Sequence, residues 1–378
     1  MAVNFIQLLQ GLVQQQGSDL HIAAKSVPMM RVRGEMVKFD MPPLTPQDVE
    51  AMAVQITTEV QRKELAVEKS LDFAFKATGI GIFRVNLFQQ RHGLAIVMRI
   101  LTEAPPNIDD LKLPEICKKA CTYANGLIIV TGPTGSGKST TLAAMLNYIN
   151  MTEKGHILTL EDPIEFQHES KVGMVNQRAL GMHFTDFTSA LKAALREDPD
   201  VILVGEMRDA ETVRLAIKAA ETGHLVFSTL HTNSAAKSID RIINTFATEE
   251  QNQVRTVLSE TLRVVISQKL IPSIDKKRRI CMHDIFVNTP AAANLIREGK
   301  TYQLTSVMQT GRAEGMQVMD KVLMDAVVRG EVDGTVAWEN ANDKAQFAKF
   351  APTGYSDTST NIPNPLMGNA SNAIKKAS

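Results

Sequence analysis

Residues 132–139 read GPTGSGKS, which satisfies the phosphate-loop pattern G-x-x-x-x-G-K-[ST]. Each residue type has a reason to be there. Glycines permit the tight backbone turns that point successive N–H groups at phosphate oxygens. The helix expected to follow adds the positive end of its dipole. Lys138 can reach the β and γ phosphates, and the Ser139 hydroxyl can ligate Mg²⁺. The apolar run before the loop and the helical pattern after it supply the strand and helix that the motif requires. Gly132, Pro133, Thr134, Gly135, Ser136, Gly137, Lys138, Ser139 and Thr140 are therefore the expected binding residues for a nucleoside triphosphate.

Two acidic segments follow. In DPDVILVGEMRD the apolar run Val201 to Val204 ends in Gly205 and Glu206. An acid at the carboxyl end of a central strand faces the ligand crevice. There Glu206 can hold Mg²⁺ through a water or polarise the attacking water, and the residue types leave both roles open. In LEDPIEF, residues Glu161, Asp162 and Glu165 follow the strand-like Ile157 to Leu160. The bland reading is a solvated turn; the strand-end position makes at least one of them a candidate general base. TGHLVFSTLHT adds His224 before and His231 after another apolar run. Strand histidines are commonly structural, but His231, at the strand end, is placed to sense a γ-phosphate.

The elements that must carry these residues alternate in type. Leu127 to Thr131, Ile157 to Leu160, Val201 to Val204 and Leu225 to Thr229 are continuous apolar runs. They are separated by helical patterns after Ser139, around Phe187 to Leu195 and from Ala210 to Thr222. Unbroken apolar strands between helices indicate a sheet covered on both faces, an α/β core. Before it, an N-terminal helix built on Phe5, Leu8, Leu9, Leu12 and Val13 precedes strand-like runs at 19–23, 29–33, 71–75, 83–88 and 95–100. A helical stretch from Pro46 to Glu64 interrupts them, and together they predict a small α+β domain over residues 1–101. The segment 102–114, with Pro105, Pro106 and Pro114, reads as a linker. Residues 115–355 then form the second domain. After Ser234 the patterns look mainly helical, including Thr305 to Arg329 and Val336 to Phe347, and 356–378 has the composition of a disordered tail.

Composition narrows the function class. The 378-residue chain carries 41 Lys plus Arg against 41 Asp plus Glu. That balance argues against a dedicated nucleic-acid binder and leaves KKRR, Lys276 to Arg279, as a local basic cluster whose plain reading is a solvated loop. No apolar stretch is long enough for a membrane span, and the N-terminus has no leader pattern. Three cysteines, Cys117, Cys121 and Cys281, fall one short of a four-cysteine zinc site and suit a reducing compartment. A cytoplasmic location is expected.

Taken together and in order, GPTGSGKS, LEDPIEF, ILVGEMRD and TGHLVFSTLHT resemble the type IV pilus retraction ATPases of the type II/type IV secretion ATPase superfamily. The resemblance runs to about Lys344 and includes GSDLHI at 17–22, IFRVNLF at 82–88 and GMQ at 315–317. It implies a PAS-like N-terminal domain followed by a RecA-like P-loop core with a helical C-terminal lobe. It also implies ATP and Mg²⁺ as cofactors and a homohexameric motor acting on an inner-membrane platform protein of the pilus. Carried over by motif, Lys138 and Ser139 belong to Walker A, Glu206 to an atypical Walker B and Glu165 to the general base position. His224 and His231 match the His box, and Arg84 and Arg99 match N-domain arginines that close on nucleotide. The segment AAANLIREGK, 291–300, is similar to a helix motif needed for retraction, AIRNLIRE, but has Ala292 and Ala293 in place of Ile-Arg. KKRRICMHDIFVNTPAAANLI is closer to an accessory paralogue, so an accessory ring acting through a partner retraction ATPase stands as the alternative. The missing zinc motif favours retraction over pilus assembly.

Overall fold

The computed structural model describes residues 5–32, 34–101 and 104–352. The expected tail at 356–378, the end of the strand expected at 29–33 and the first two residues of the linker lie outside these.

The N-terminal part begins with α1 (Phe5–Gln14), β1 (Asp19–Ala23), β2 (Met29–Val32) and β3 (Glu35–Lys38). It continues through α2 (Pro46–Ile56) and α3 (Glu59–Glu68) to β4 (Ser70–Ala77), β5 (Gly81–Gln90) and β6 (Gly93–Leu101). The strands pair antiparallel in the order β3-β2-β1-β6-β5-β4. Alternation puts Phe83, Val85 and Leu87 of β5 inside, where they pack with Phe5, Leu9 and Leu12 of α1 and with Val49 and Met52 of α2. Two expectations need correction. The helical stretch from Pro46 to Glu64 is two helices, because the Thr58 hydroxyl accepts from Gln61 N while the Gln61 side chain accepts from Thr58 N, restarting the helix with a capping box. Strand β3 was not expected; all four of its residues are exposed, so no alternation marks it.

After α4 (Glu115–Cys121), β7 (Gly126–Thr131) leads into α5 (Lys138–Thr152). Then come β8 (His156–Glu161), β9 (Met174–Ala179), α6 (Phe187–Ala194), β10 (Val201–Val204), α7 (Ala210–Glu221) and β11 (Leu225–Leu230). Helices α8 (Ala235–Ile243) and α9 (Gln251–Thr261) precede β12 (Leu262–Pro272), β13 (Arg279–Val287) and α10 (Pro290–Arg297). The sheet order is β13-β12-β7-β11-β10-β8-β9, and the pairs from β12 across to β9 are parallel. Its strands β7, β10 and β11 are buried throughout, as their unbroken apolar runs require.

The segment after Ser234 is therefore not simply helical. β12 and β13 extend the sheet, and they were hidden because Leu262, Val264, Val265 and Ile266 are buried on both faces and carry no period-2 signal. The helix expected over Thr305 to Arg329 is α11 (Leu304–Thr310) and α12 (Met319–Val328). Between them the chain turns, with Met316 N donating to Gly311 O at 3.0 Å, and the Met316 sulfur leaves no room for a Cβ on Gly311. The stretch from Val336 to Phe347 likewise splits into α13 (Gly334–Asn340) and a 3-10 turn, Lys344–Phe350, capped by the Asp343 carboxylate.

By contact density the chain forms two compact units, 1–270 with 281–318, and 271–280 with 319–378. This division differs from the expected break at 102–114. Within the first unit, one hydrophobic cluster gathers residues from Phe5 to Met98 and another gathers residues from Ile108 to Met316. In the second unit Ile271, Met319, Leu323 and Phe347 are buried, and KKRR lies exposed in the turn after β12 and at the first residue of β13. Among the described residues no helix is long and apolar enough to cross a membrane.

Candidate nucleotide-binding site

Strand order brings the chemistry together. The phosphate loop follows β7, His231 follows β11, Glu206 follows β10, and Glu161 to Glu165 end or follow β8; these four parallel strands are consecutive neighbours in the sheet. Adjacent strands lie about 4.8 Å apart, so their carboxyl ends form one crevice lined by loops distant in sequence.

The loop has the conformation its glycines allow. Gly132, Gly135 and Gly137 adopt φ values of 145°, 77° and 89°. α5 then begins at Lys138 with no side-chain cap, so the first N–H groups of a fifteen-residue helix face the loop without a side-chain acceptor. The Lys138 ammonium donates to Gly132 O at 3.0 Å and Pro133 O at 3.2 Å. Burial lowers the Lys138 pKa, against the opposing pull of Glu206 and Glu165, which places both carboxylates in the field of this lysine. The Ser136 hydroxyl is buried with no hydrogen-bond partner among the described residues. Uncapped N–H groups, a lysine held by carbonyls and an orphaned hydroxyl fit a bound phosphate chain. Among the described residues no three His, Cys, Asp or Glu side chains gather to hold a metal. A divalent ion here would take most of its ligands from phosphate oxygens and water, the habit of Mg²⁺.

Glu206 is partly buried. Its Oε2 accepts from Arg208 Nε at 2.9 Å, and its Oε1 lies 3.4 Å from His231 Nε2. Gly205 lets the end of β10 lie close against the end of β8, since a Cβ there would come 3.1 Å from Leu160 O and 3.3 Å from Glu161 Cα. Of the three acids that end or follow β8, Glu165 and Asp162 are exposed, and a cis peptide joins Asp162 to Pro163. Glu161 differs: its Oε1 accepts from Thr159 Oγ1 at 2.6 Å and Gln177 Nε2 at 3.0 Å, and burial pushes its pKa up to about 7. Glu161 is thus tied into the protein, whereas Glu165 faces solvent within electrostatic reach of Lys138.

Three expected residues stand apart. His224 precedes β11, at the opposite end of the strand from His231, and its Nδ1 lies 3.0 Å from Ala219 O at the end of α7. Arg84 and Arg99 lie opposite each other on β5 and β6 of the N-terminal sheet. Arg84 is exposed and has no hydrogen-bond or ion-pair partner among the described residues. Arg99 donates through Nε to Asp19 Oδ1 at 2.7 Å, and Asp19 is only 4% exposed.

Sequence reading did not find Asp19 or Gln268. Gln268 is fully buried on β12, where Nε2 donates to Ser136 O at 2.7 Å and Oε1 accepts from Thr141 Oγ1 at 3.0 Å. A buried amide interrupting the apolar run VVISQKL was the available signal.

The family model described as Type II/IV secretion system protein matches residues 3–361. The chain belongs to that family. It is 48% identical over 345 residues to the type IV pilus retraction ATPase PilT of Pseudomonas aeruginosa, covering 91% of this chain and 99% of that protein. To the type IV pilus ATPase PilU of the same organism it is 39% identical over 351 residues, covering 92% of each. A crystal structure of the pilus retraction motor PilT with bound ADP superposes with a TM-score of 0.87 at 42% identity, covering 92% of this chain and 99% of that one. The α/β class and the secretion-ATPase fold expected from the motifs agree with this likeness.

Proposed function

We propose that the chain is an ATP-hydrolysing motor subunit that drives type IV pilus retraction, the movement behind twitching motility. The observation that carries this reading is 48% identity to PilT across 91% of the chain, with a phosphate loop, Glu206 and His231 at neighbouring strand ends. In this reading residues 132–140 cradle the nucleotide phosphates and Lys138 turns from its two carbonyl acceptors to the β and γ oxygens. Ser139 and Glu206 would hold Mg²⁺, which neutralises charge on the phosphates when bound. Glu165 takes the proton of the attacking water, and His231 reports the state of the γ-phosphate to Glu206.

The domains act as 1–101 and 115–355, swinging about 102–114. On closing, Arg84 and Arg99 meet the nucleotide, so ATP affinity differs between open and closed states and each turnover does work. His224 contributes from the far end of β11. Six copies form a ring at the cytoplasmic face of the inner membrane and turn or pull the pilus platform protein. No nucleic acid takes part.

A second reading, an accessory ring that works through a paralogous retraction ATPase, is favoured by α10. There Ala292 is fully buried and Ala293 partly so, where the retraction motif has Ile and Arg. Phosphate release by the purified full chain with Mg-ATP, measured with particle mass for wild type and Glu206→Gln, separates the two. Turnover from a six-subunit particle that the variant lacks supports the autonomous motor. ATP binding without turnover supports the accessory ring.

A further inference from the structure

We propose that Gln268, outside every recognised motif, is a positioning residue that sets the shape of the phosphate loop and so its affinity for nucleotide phosphates. The inference rests on the nucleotide-binding reading above. β12 lies beside β7, in register through Ser267 and Thr131, so the next residue, Gln268, arrives beneath the loop. It touches the loop in three places. Its backbone oxygen occupies the space a Cβ on Gly132 would need, its Nε2 lies 3.2 Å from a Cβ built on Gly137, and the same nitrogen donates to Ser136 O at 2.7 Å.

The last bond carries the argument. A trans peptide is planar, with its C=O and N–H pointing in opposite directions. Drawing the Ser136 carbonyl toward β12 therefore aims the Gly137 N–H away from β12, which is how a phosphate loop presents donors to its ligand. The side-chain amide cannot swivel, because its other end accepts from Thr141 Oγ1 in the first turn of α5. Thr141 N in turn donates to Gly137 O at 2.9 Å, so Gln268 ties the loop and the start of the helix into one rigid piece. The amide is fully buried, and no water competes for these bonds. Without Gln268, Ser136 O becomes a buried unpaired acceptor and the peptide is free to flip, losing a donor to phosphate.

The test uses the full chain as wild type, Gln268→Met, Gln268→Glu and Thr141→Val. ATP and ADP dissociation constants, steady-state kinetics and the ligand-free melting temperature are measured for each. Methionine keeps the volume and loses both bonds; glutamate keeps the acceptor for Thr141 but faces Ser136 O with a carboxylate. Both are expected to weaken ATP and ADP alike by roughly tenfold or more, through KM with kcat at saturation nearly retained. Thr141→Val has a smaller effect, and its combination with Gln268→Met is less than additive because the two act on one amide. Wild-type affinity in Gln268→Met or Gln268→Glu, or loss confined to kcat, overturns the proposal. So does a loss of affinity that merely tracks the melting temperature across the set. If wild type itself binds neither nucleotide, the nucleotide-binding reading fails and this inference goes with it.

Discussion

His231 Nε2 lies 3.4 Å from Glu206 Oε1, while Arg208 holds the other oxygen of that carboxylate at 2.9 Å. The two residues are 25 positions apart in sequence and meet because β11 and β10 are parallel neighbours whose register pairs Val204 with Ser228, two residues before Glu206 and three before His231. One glutamate is thus gripped from two sides at the mouth of the crevice. Replacing it by Gln keeps the shape and removes the charge. ATP hydrolysis by Glu206→Gln should fall by about 10²-fold or more, with ADP affinity within a few-fold of wild type, measured by phosphate release and nucleotide titration.

Lys138 is held by two backbone carbonyls and has its pKa lowered by burial, yet it has no carboxylate within ion-pair distance among the described residues. Such a cation awaits an anion. Lys138→Ala should abolish the rise in melting temperature that wild type gains with ADP, while its ligand-free melting temperature stays close to wild type. A preserved nucleotide shift would contradict the phosphate role.

Glu161 should make stability fall as pH rises. Its carboxyl keeps its proton to about pH 7 in the folded chain but loses it near 4.5 when unfolded, so between those values the folded state holds the extra proton. The contribution of that proton is complete below pH 4.5 and disappears as pH passes 7, a loss on the order of 1–3 kcal/mol. In Glu161→Gln, denaturant unfolding at pH 5 and pH 8 should differ less than in wild type.

Asp19 works in the opposite sense. Burial raises its pKa, but hydrogen bonds from Ser18 and Arg99 outweigh this and hold it below 3.8. Its stabilisation is therefore present above that pH and lost as the solution becomes more acidic. Asp19 also stands between Arg31, 3.9 Å away, and Arg99, beyond which lies Arg84. Asp19→Asn should cost roughly 1–2 kcal/mol in denaturant unfolding at pH 7, and the difference should shrink toward pH 3.

Arg99 gives Asp19 its Nε–H alone, which leaves its Nη donors for a nucleotide. Arg99→Ala and Arg84→Ala should each lower kcat for ATP hydrolysis by about tenfold or more, with ADP affinity little changed, if both arginines meet the γ-phosphate only on closure. Equal loss of ADP affinity would place them elsewhere in the cycle.

The residues legible in the sequence are those whose chemistry sits in a local pattern. GPTGSGKS names its own loop because three glycines and a lysine at fixed spacing serve one backbone shape, and VILVGE marks a strand end because a buried run must stop where an acid begins. β1 and β10 were readable to the residue. β12 and β13 were not, since a strand buried on both faces looks like any apolar run, and β3 was not, since it is exposed throughout.

What the sequence determined by itself was the local architecture: a phosphate loop between strand and helix, acids and a histidine after apolar strands, and a chain of the secretion-ATPase kind. Tertiary structure decided which of these meet. The order β12-β7-β11-β10-β8 sets His231 against Glu206 and leaves His224 at the far end of its strand. It slides Gln268 under the loop, while in the N-terminal sheet the pairing of β1 with β6 sets the buried Asp19 beside Arg99. Strand order is a property of non-local hydrogen bonding and packing, which no spacing along the chain records.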